Sequence, residues 1–364
     1  MERIPVYQCD LSGNEKKYVD DCIESTWISC KGKYVSMFEH NFAEYIGVNY
    51  ATACCNGTVA LHLALETLGF NKGDEIIVPS FTYVASCNTI LQAGAIPVFA
   101  DSLADSWQID PDDIIKKITP KTKAIMAVHL YGQICDMERI CKIAHEHNLF
   151  VIEDCAEAFG SKQGAKYAGS FGDISAFSFF GNKTITTGEG GMVVTNNKFL
   201  YEKAVKLKTQ GVASYKQYWH DIMAYNYRMT NIAAAIGVAQ LEKADQFIAR
   251  KREIAKLYSE LLADLPVECH KEMPGTTHSY WMCSLLTKNE EERDALRKFL
   301  DSKNIETRPL FFPAHMMPVY NRVFESHPVC EDIGLRGINI PSWPGLTNEQ
   351  VKYVCDSIRE FYNK

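Results

Sequence analysis

A regular alternation of short β-rich runs with helical patterns dominates the chain between about residues 50 and 200. Helical patterns such as TVALHLALETLG and MERICKIAHEHN separate the β-rich runs, and the second ends at Asn148, a suitable capping residue. Seven runs have strand character: YATACC, EIIVPS, IPVFAD, KAIMAVHL, LFVIEDC, ISAFSFF and GMVVTN. Because such alternation typically yields a mainly parallel sheet covered by helices, we predict an α/β fold on a seven-stranded sheet.

The C-terminal third of the chain has a different pattern. It begins with a long helical stretch, which we predict to run as one helix from about residue 231 to 266 and to end at Pro266. After it come a strand-like run, a helix, a second extended run and a final helix: SYWMCSLL, EERDALRKFLDSKN, IETRPLFFPAH and NEQVKYVCDSIREFYNK. We therefore predict a large domain over residues 1–245 and a smaller α+β domain over residues 246–364.

Composition argues against several classes of protein. The chain has 364 residues, a formal net charge of −7 and no cluster of Lys and Arg, so nucleic acid is not an expected partner. No run approaches the roughly 20 apolar residues that span a membrane, and the N-terminus lacks the apolar core of a signal peptide. We expect a soluble, cytoplasmic protein. The 13 cysteines include no Cys-x-x-Cys pair, so we expect reduced, mostly buried thiols and no metal site.

Polar and aromatic residues follow several of the predicted strands, where ligands bind in open α/β sheets. The segment CNGT opens a helix, so the backbone N–H groups of Gly57 and Thr58 favour an anion there. SFTY places the ring of Tyr83 in a loop, and EDCAEA places Asp154 and Glu157 after a very apolar strand. Each segment also has an ordinary explanation: helix capping for the first and third, core packing for the aromatic ring.

The stretch FSFFGNKTITTGEGG contains Ser178 and Lys183. A phosphate-binding loop needs Gly immediately before the Lys and another five residues upstream, where this chain has Asn182 and Phe177. That motif is therefore absent. Two alternatives remain for Lys183: a solvated loop lysine, or a lysine whose amine is held in a pocket as a nucleophile.

The four segments together match the requirements of one cofactor, pyridoxal phosphate (PLP). PLP needs a lysine for its aldehyde, a carboxylate for its pyridine nitrogen, an anion site for its phosphate and an aromatic surface for its ring. The sequence offers one candidate of each kind.

The sequence also resembles the fold-type I sugar aminotransferases, the family that aminates nucleotide-linked keto sugars. The resemblance covers nearly the whole chain and rests on the blocks NGTVALHLAL, GDEIIVPSFTYVAS, VIEDCAEAFGS, FGDISAFSFFGNKTITTGEGGMVVTN, YNYRMTNIAAAIGVAQLE and RGINIPSWPGL. It implies an aspartate aminotransferase-like fold, with a mixed, mainly parallel seven-stranded sheet, and PLP as cofactor.

The resemblance also implies a role for each candidate residue. Lys183 would form the imine with PLP and carry protons, and its pKa should be depressed by a low-dielectric pocket. Asp154 would pair with the pyridine nitrogen, and Glu157 would lie near the phenolic oxygen, where the family often has Gln or His. Tyr83 would stack on the ring. The phosphate would be held by Gly57, Thr58, Ser178 and, from the neighbouring subunit of a homodimer, Asn226.

The implied reaction is C4 amination of GDP-4-keto-6-deoxy-D-mannose to GDP-perosamine, with L-glutamate as amino donor. UDP- or dTDP-4-keto-6-deoxy-D-glucose remains an alternative substrate, because the cofactor motifs do not contact the nucleotide. A dehydratase of the same family would carry His in place of Lys183, and the full set of cofactor groups argues against a non-catalytic ligand sensor. Candidate substrate contacts are Arg228, Arg308 and His315, with His220 close to the first of these.

Overall fold

The computed structural model of the protein describes residues 2–320 and 325–363. Its largest sheet has seven strands: β1 (Tyr50–Cys54), β2 (Glu75–Pro79), β3 (Ile96–Ala100), β4 (Thr122–Val128), β5 (Phe150–Asp154), β8 (Ile174–Ser178) and β9 (Gly191–Thr195). Their order is β1-β9-β8-β5-β4-β2-β3. Strand β9 is antiparallel to both neighbours, and the other pairs are parallel. These strands coincide with the seven predicted runs, so the predicted α/β fold is confirmed.

The central strands of this sheet are apolar on both faces. Successive side chains of a strand point to opposite faces, so Ile77 and Ile125 pack into one hydrophobic cluster while Ile76 and Met126 pack into another. A parallel sheet covered on both faces needs near-continuous apolar strands of this kind.

Helices cover both faces of the sheet. Those before residue 210 are α1 (Glu15–Glu24), α2 (Lys33–Ile46), α3 (Gly57–Leu68), α4 (Val84–Gln92), α5 (Pro111–Lys117), α6 (Met137–His147) and α7 (Lys198–Lys208). Residues of α2 and α6 pack into the first cluster, and residues of α3, α4 and α7 pack into the second. As predicted, α6 ends at Asn148, which adopts the left-handed conformation of a helix C-cap.

The predicted single helix over residues 231–266 is wrong. The structure has two helices there, α8 (Asn231–Glu242) and α9 (Ala244–Leu261), separated by Lys243, whose φ of −109° and ψ of 4° are not helical. The amine of Lys243 binds the hydroxyl of Ser12 and forms an ion pair with Asp10. Because neither Gly nor Pro marks the break and the residue contacts a distant segment, the helical pattern alone did not reveal it.

The remaining elements form smaller sheets and a helical layer. A four-stranded antiparallel sheet has the order β10-β12-β14-β13, and a three-stranded one has the order β11-β6-β7. The strands are β6 (Lys162–Gln163), β7 (Lys166–Tyr167), β10 (Glu268–Cys269), β11 (Thr276–Thr277), β12 (Cys283–Leu286), β13 (Arg308–Pro309) and β14 (Gly337–Ile340). The helices are α10 (Glu290–Ser302), α11 (Pro328–Arg336) and α12 (Asn348–Tyr362).

A third hydrophobic cluster joins α9, α10 and α12 to the four-stranded sheet. Ile4 also belongs to this cluster and forms a parallel bridge with Ile305. The division of the chain at residue 245 therefore stays a prediction, since the first residues pack with the last third of the chain. Over the two described ranges, no helix is both long and apolar enough to cross a membrane.

Candidate active site

A cavity of about 620 Å³ lies where the carboxyl ends of β1, β5 and β8 meet. Four of the segments that line it are the four singled out from the sequence, and further lining residues come from positions 281, 282, 308, 309, 311 and 339. The predicted site residues that line the cavity are Gly57, Thr58, Tyr83, Asp154, Glu157, Ser178, Lys183 and Arg308.

The N-terminus of α3 presents backbone N–H groups to this cavity. Asn56 caps the helix: its side chain accepts a hydrogen bond from the N–H of Val59 at 2.9 Å, and its carbonyl accepts one from Ala60 at 3.1 Å. The N–H groups of the N-cap and of the first three helical residues have no acceptor within the helix, whereas the bond of Ala60 is the first intrahelical one. Since the side chain of Asn56 binds the N–H of Val59, those of Gly57 and Thr58 are left to bind a ligand. The helix dipole makes this position favourable for an anion.

Ser178, at the end of β8, lies directly against this helix start. A Cβ atom added to Gly57 would lie 2.5 Å from the Cβ of Ser178 and 2.7 Å from its hydroxyl oxygen. Such contacts are far inside van der Waals distance, so the absence of a side chain at Gly57 allows the close approach. The hydroxyl of Ser178 thus lies beside the N–H groups of Gly57 and Thr58, and all three line the same cavity.

Asp154 lies at the end of β5 and is buried. Its carboxylate accepts hydrogen bonds from the hydroxyl of Ser86 at 2.7 Å and from the backbone N–H of Ala156 at 3.1 Å. Burial raises the pKa of Asp154, and these hydrogen bonds oppose the shift. A buried carboxylate is stabilised in its charged form by a cationic partner, so the position suits a protonated ring nitrogen.

The amine of Lys183 lies between an aromatic ring and a carboxylate. Its Nζ is 3.9 Å from the ring centroid of Trp281 and 3.7 Å from Oε1 of Glu157. Burial lowers the pKa of Lys183, and the neighbouring carboxylates of Glu157 and Asp154 only partly oppose this. Lys183 therefore lies in a pocket, where its amine is close to Trp281 and Glu157, and it is not a solvated loop lysine.

Glu157, the carboxylate next to the amine, is buried. Its Oε2 accepts a hydrogen bond from the backbone N–H of Tyr131 at 3.0 Å. Burial raises the pKa of Glu157 to about 7, although the nearby Lys183 lowers it. Burial thus raises the pKa of the Glu157 carboxyl and lowers the pKa of the Lys183 amine. Because the two pKa values are closer together than in water, moving a proton between these groups costs less free energy.

The ring of Tyr83 borders the cavity at the start of α4 and is 56% exposed. It lies 5.5 Å from the ring of Phe311, measured between centroids. Its exposure rules out the ordinary core packing that we considered from the sequence, and it leaves a flat aromatic surface free at the cavity.

The predicted substrate contacts lie in different places. Arg308 lines the cavity, has a side chain that is 52% exposed and forms a 3.3 Å ion pair with Glu306. Arg228 donates a hydrogen bond at 2.8 Å to Oδ1 of the exposed Asn226, and neither lines the cavity of the single chain. His220 is exposed and lies 2.7 Å from the carbonyl of residue 210.

His315 is buried and does not line the cavity. Its Nδ1 lies 2.6 Å from the hydroxyl of Ser80, and its Nε2 lies 3.2 Å from a carboxylate oxygen of Glu331. These contacts fix the ring within the fold, so the structure gives His315 a structural position where we expected a loop residue facing the substrate.

The comparisons with known proteins agree with this geometry. The model of the DegT/DnrJ/EryC1/StrS aminotransferase family matches residues 10–359. The chain belongs to this family. It is similar to the GDP-perosamine synthases of Escherichia coli O157:H7 (61% identity, 100% of both chains) and Vibrio cholerae (54% identity, 99% of both chains). Its fold matches a solved structure of Streptococcus pneumoniae Spr1654 in its PLP-form, with a TM-score of 0.94, 26% identity and 99% of each chain covered.

Family membership confirms the expected enzyme class, an aminotransferase, and the expected fold.

Several residues of this aminotransferase site were not predicted from the sequence. Trp281 contacts the lysine amine, Ser86 binds Asp154, and Tyr131 binds Glu157 through its backbone. Ser86 stands three residues after Tyr83 in the first turn of α4, so helical spacing from the strand end was a usable signal. The sequence around Trp281 carried none.

A buried group formed by His129, Glu153 and Cys155 has the composition of a metal site. The carboxylate of Glu153 already accepts hydrogen bonds from three backbone N–H groups, at residues 169, 171 and 172, and from the hydroxyl of Ser175. The imidazole Nε2 of His129 lies 3.0 Å from the same carboxylate, and its Nδ1 accepts the N–H of Cys135 at 3.2 Å. Because these bonds occupy the ligand atoms of Glu153 and His129, we interpret the group as structural.

Proposed function

We propose that the protein is a PLP-dependent nucleotide-sugar 4-aminotransferase that converts GDP-4-keto-6-deoxy-D-mannose to GDP-perosamine with L-glutamate as amino donor. The observation that carries the proposal is the Lys183 amine, whose side chain is only 13% exposed and lies in one cavity with Asp154 and the start of α3. The full-length identity of 61% to a GDP-perosamine synthase supports the choice of sugar nucleotide.

The cavity fits PLP at each end of the cofactor. The N–H groups of Gly57 and Thr58 and the hydroxyl of Ser178 would bind the phosphate, and Asp154 would accept a hydrogen bond from the ring nitrogen. Tyr83 offers its exposed ring face as a stacking surface. When bound, PLP supplies an aldehyde that takes up amino groups and a ring that withdraws electrons from the adjacent carbon.

Lys183 and Glu157 would handle the protons. A neutral amine is required to accept a proton, and burial lowers the pKa of Lys183, which favours this form relative to an exposed lysine. Glu157, whose pKa is raised to about 7, lies 3.7 Å away and can hold or release a proton near neutral pH. In the net reaction the amino group of glutamate replaces the C4 carbonyl oxygen of the sugar, and 2-oxoglutarate leaves.

Arg308 is the candidate for the diphosphate of the nucleotide sugar. Its guanidinium is at the cavity wall and half exposed, and the ion pair with Glu306 is a surface pair that a diphosphate can displace. Arg guanidinium groups bind phosphate oxygens in a bidentate manner, which suits this position.

We further propose a homodimer in which Asn226 and Arg228 complete the site of the neighbouring subunit. Asn226 is exposed and lies outside the cavity of its own chain, although the family resemblance gives it a phosphate contact. Mixing inactive Asn226→Ala subunits with inactive Lys183→Ala subunits should restore part of the activity, since one site of each hybrid keeps both residues. Titrating one variant into the other and assaying turnover measures this. A hybrid with no more activity than its parents would contradict shared sites.

A substrate panel tests the proposed reaction. With glutamate as donor, we expect turnover of GDP-4-keto-6-deoxy-D-mannose and little turnover of UDP- and dTDP-4-keto-6-deoxy-D-glucose, with products identified by mass spectrometry. Turnover of the UDP or dTDP sugar alone would replace the proposed substrate with the alternative and leave the aminotransferase intact. A wild-type protein that never binds PLP would refute the proposal as a whole.

A further inference from the structure

The loop that carries Lys183 is held by side chains from outside the loop. Three consecutive backbone carbonyls, at residues 181, 182 and 183, each accept a hydrogen bond from a different distant side chain. The donors are the thiol of Cys9 at 2.8 Å, the indole Nε1 of Trp281 at 2.7 Å and the phenol of Tyr7 at 2.6 Å. The catalytic lysine is therefore fixed at its own carbonyl by Tyr7.

Tyr7 is itself anchored in the fold. Its neighbour Val6 accepts a hydrogen bond from the N–H of Ser342 at 3.0 Å, which ties the N-terminal segment to the chain after β14. The buried amine of Lys251 donates to the carbonyl of the same Ser342 at 3.1 Å and lies 5.6 Å from the centroid of the Tyr7 ring. The Tyr7 ring thus lies near the Lys251 amine, and its hydroxyl binds the lysine loop.

The protonation state of Tyr7 suits a permanent donor. Burial raises the pKa of its phenol well above the ordinary value, and the nearby Cys9 and Asp10 raise it further. The hydroxyl therefore keeps its proton throughout the pH range in which an aminotransferase works, and the bond to the carbonyl of Lys183 persists.

We propose that Tyr7 is a positioning residue for Lys183, whose hydrogen bond to the lysine carbonyl keeps the amine in place between Glu157 and the ring of Trp281. This inference rests on the proposed function, since it assigns a role to the geometry of the reacting lysine. The position of a residue's backbone determines where its side chain starts and so which atoms the side chain can reach. Loosening the carbonyl of Lys183 therefore displaces its Nζ, and small displacements of reacting groups reduce the rate of the chemical step.

The test uses the PLP-loaded full-length enzyme with Tyr7→Phe, which keeps the ring and removes only the donor. Tyr353→Phe is a matched control, because the phenol of Tyr353 also donates to the backbone carbonyl of a lysine, Lys303, at 3.2 Å and far from the cavity. The measurements are the visible absorbance of the bound cofactor as a function of pH, and kcat and KM for the nucleotide sugar.

We expect Tyr7→Phe to bind PLP, to shift the pH midpoint of the cofactor absorbance and to lower kcat about tenfold at an unchanged KM. Tyr353→Phe should match wild type in all three. The proposal is overturned if Tyr7→Phe matches wild type, or if Tyr353→Phe changes the same quantities equally. If Tyr7→Phe gives no folded protein, Tyr7→Met removes the same donor and keeps an apolar side chain of adaptable shape. It should shift the same midpoint, and an unshifted midpoint overturns the proposal.

These outcomes are separate from failure of the proposed function. If wild type shows neither cofactor absorbance nor transamination, the proposed function fails before the variants are compared. If wild type shows both, the comparison of Tyr7→Phe with Tyr353→Phe decides the positioning role alone.

Discussion

The amine of Lys183 is largely shielded from solvent and lies next to two chemically different side chains, an indole and a carboxyl group. The indole of Trp281 attracts a cation through its ring face, and the carboxyl of Glu157 attracts one through its charge. Burial acts in the opposite direction and lowers the pKa of the amine. Because burial has the largest effect, the amine of Lys183 loses its proton more readily than that of a surface lysine.

Replacing Lys183 by alanine should remove both the cofactor linkage and the activity. We expect Lys183→Ala to lack the visible absorbance band of the wild type and to lose turnover by at least about a thousandfold, because no second lysine among the residues that the structure describes lines the cavity. Absorbance spectroscopy and the glutamate-dependent assay measure these. Lys198→Ala, in an exposed ion pair on α7, is the control and should behave as wild type. Turnover that survives in Lys183→Ala would contradict the assigned role.

The anion site depends on how closely two elements approach each other. The start of α3 and the end of β8 come together at Gly57 and Ser178, at a distance that leaves no room for a Cβ atom. A second close contact between backbone segments lies next to this one: a Cβ atom on Gly191 of β9 would lie 2.4 Å from the carbonyl oxygen of Asn56. These two glycines let the helix start lie over the sheet edge, so the phosphate site is a product of packing between elements.

Substituting Gly57 by alanine should therefore weaken cofactor binding. The added methyl group would force α3 away from Ser178, and we expect the Kd for PLP to rise at least about tenfold in Gly57→Ala, measured by absorbance titration of the apo-enzyme. Gly345→Ala is the control, since a Cβ atom there meets its nearest neighbour at an ordinary 3.5 Å. Equal PLP affinity of Gly57→Ala and wild type would show that the helix start does not bind the phosphate.

Across the whole molecule, a chain of buried histidines links the central fold to the segment that carries Trp281. The Nδ1 of His278 accepts the N–H of Tyr280 at 2.8 Å, and its Nε2 lies 3.2 Å from Nδ1 of His270. The Nε2 of His270 in turn lies 3.0 Å from the carbonyl oxygen of Ser106. Two neutral rings that each donate through Nε2 satisfy every one of these contacts.

Because both rings are held neutral, stability should decline in mild acid. Burial lowers the pKa of His270 to about 4 and that of His278 well below its usual range, whereas in the unfolded chain histidine has a pKa of about 6.5. As the pH falls below about 6.5, the unfolded state takes up protons first, so the free energy of unfolding decreases until the pH reaches the folded pKa. For His270 the loss between pH 7.5 and 5 is about 2 kcal/mol.

Urea denaturation at a series of pH values measures this dependence. The slope of unfolding free energy against pH should be smaller in His270→Gln than in wild type, while the exposed His40→Gln should keep the wild-type slope. An unchanged slope in His270→Gln would show that this ring does not contribute to the pH dependence.

The amino-acid sequence by itself determined the seven strands of the main sheet, the fold class and the four segments at the strand ends. These follow from local periodicity: apolar runs, helix starts and turns are encoded by neighbouring residues. The tertiary structure alone decided the helix break at Lys243, the burial of His315, and the contacts of Trp281 and Tyr7 with the lysine loop. These contacts join residues about 100 to 176 positions apart, and no local pattern specifies such pairs. They form because the packed elements bring distant side chains to the backbone of the loop that carries Lys183.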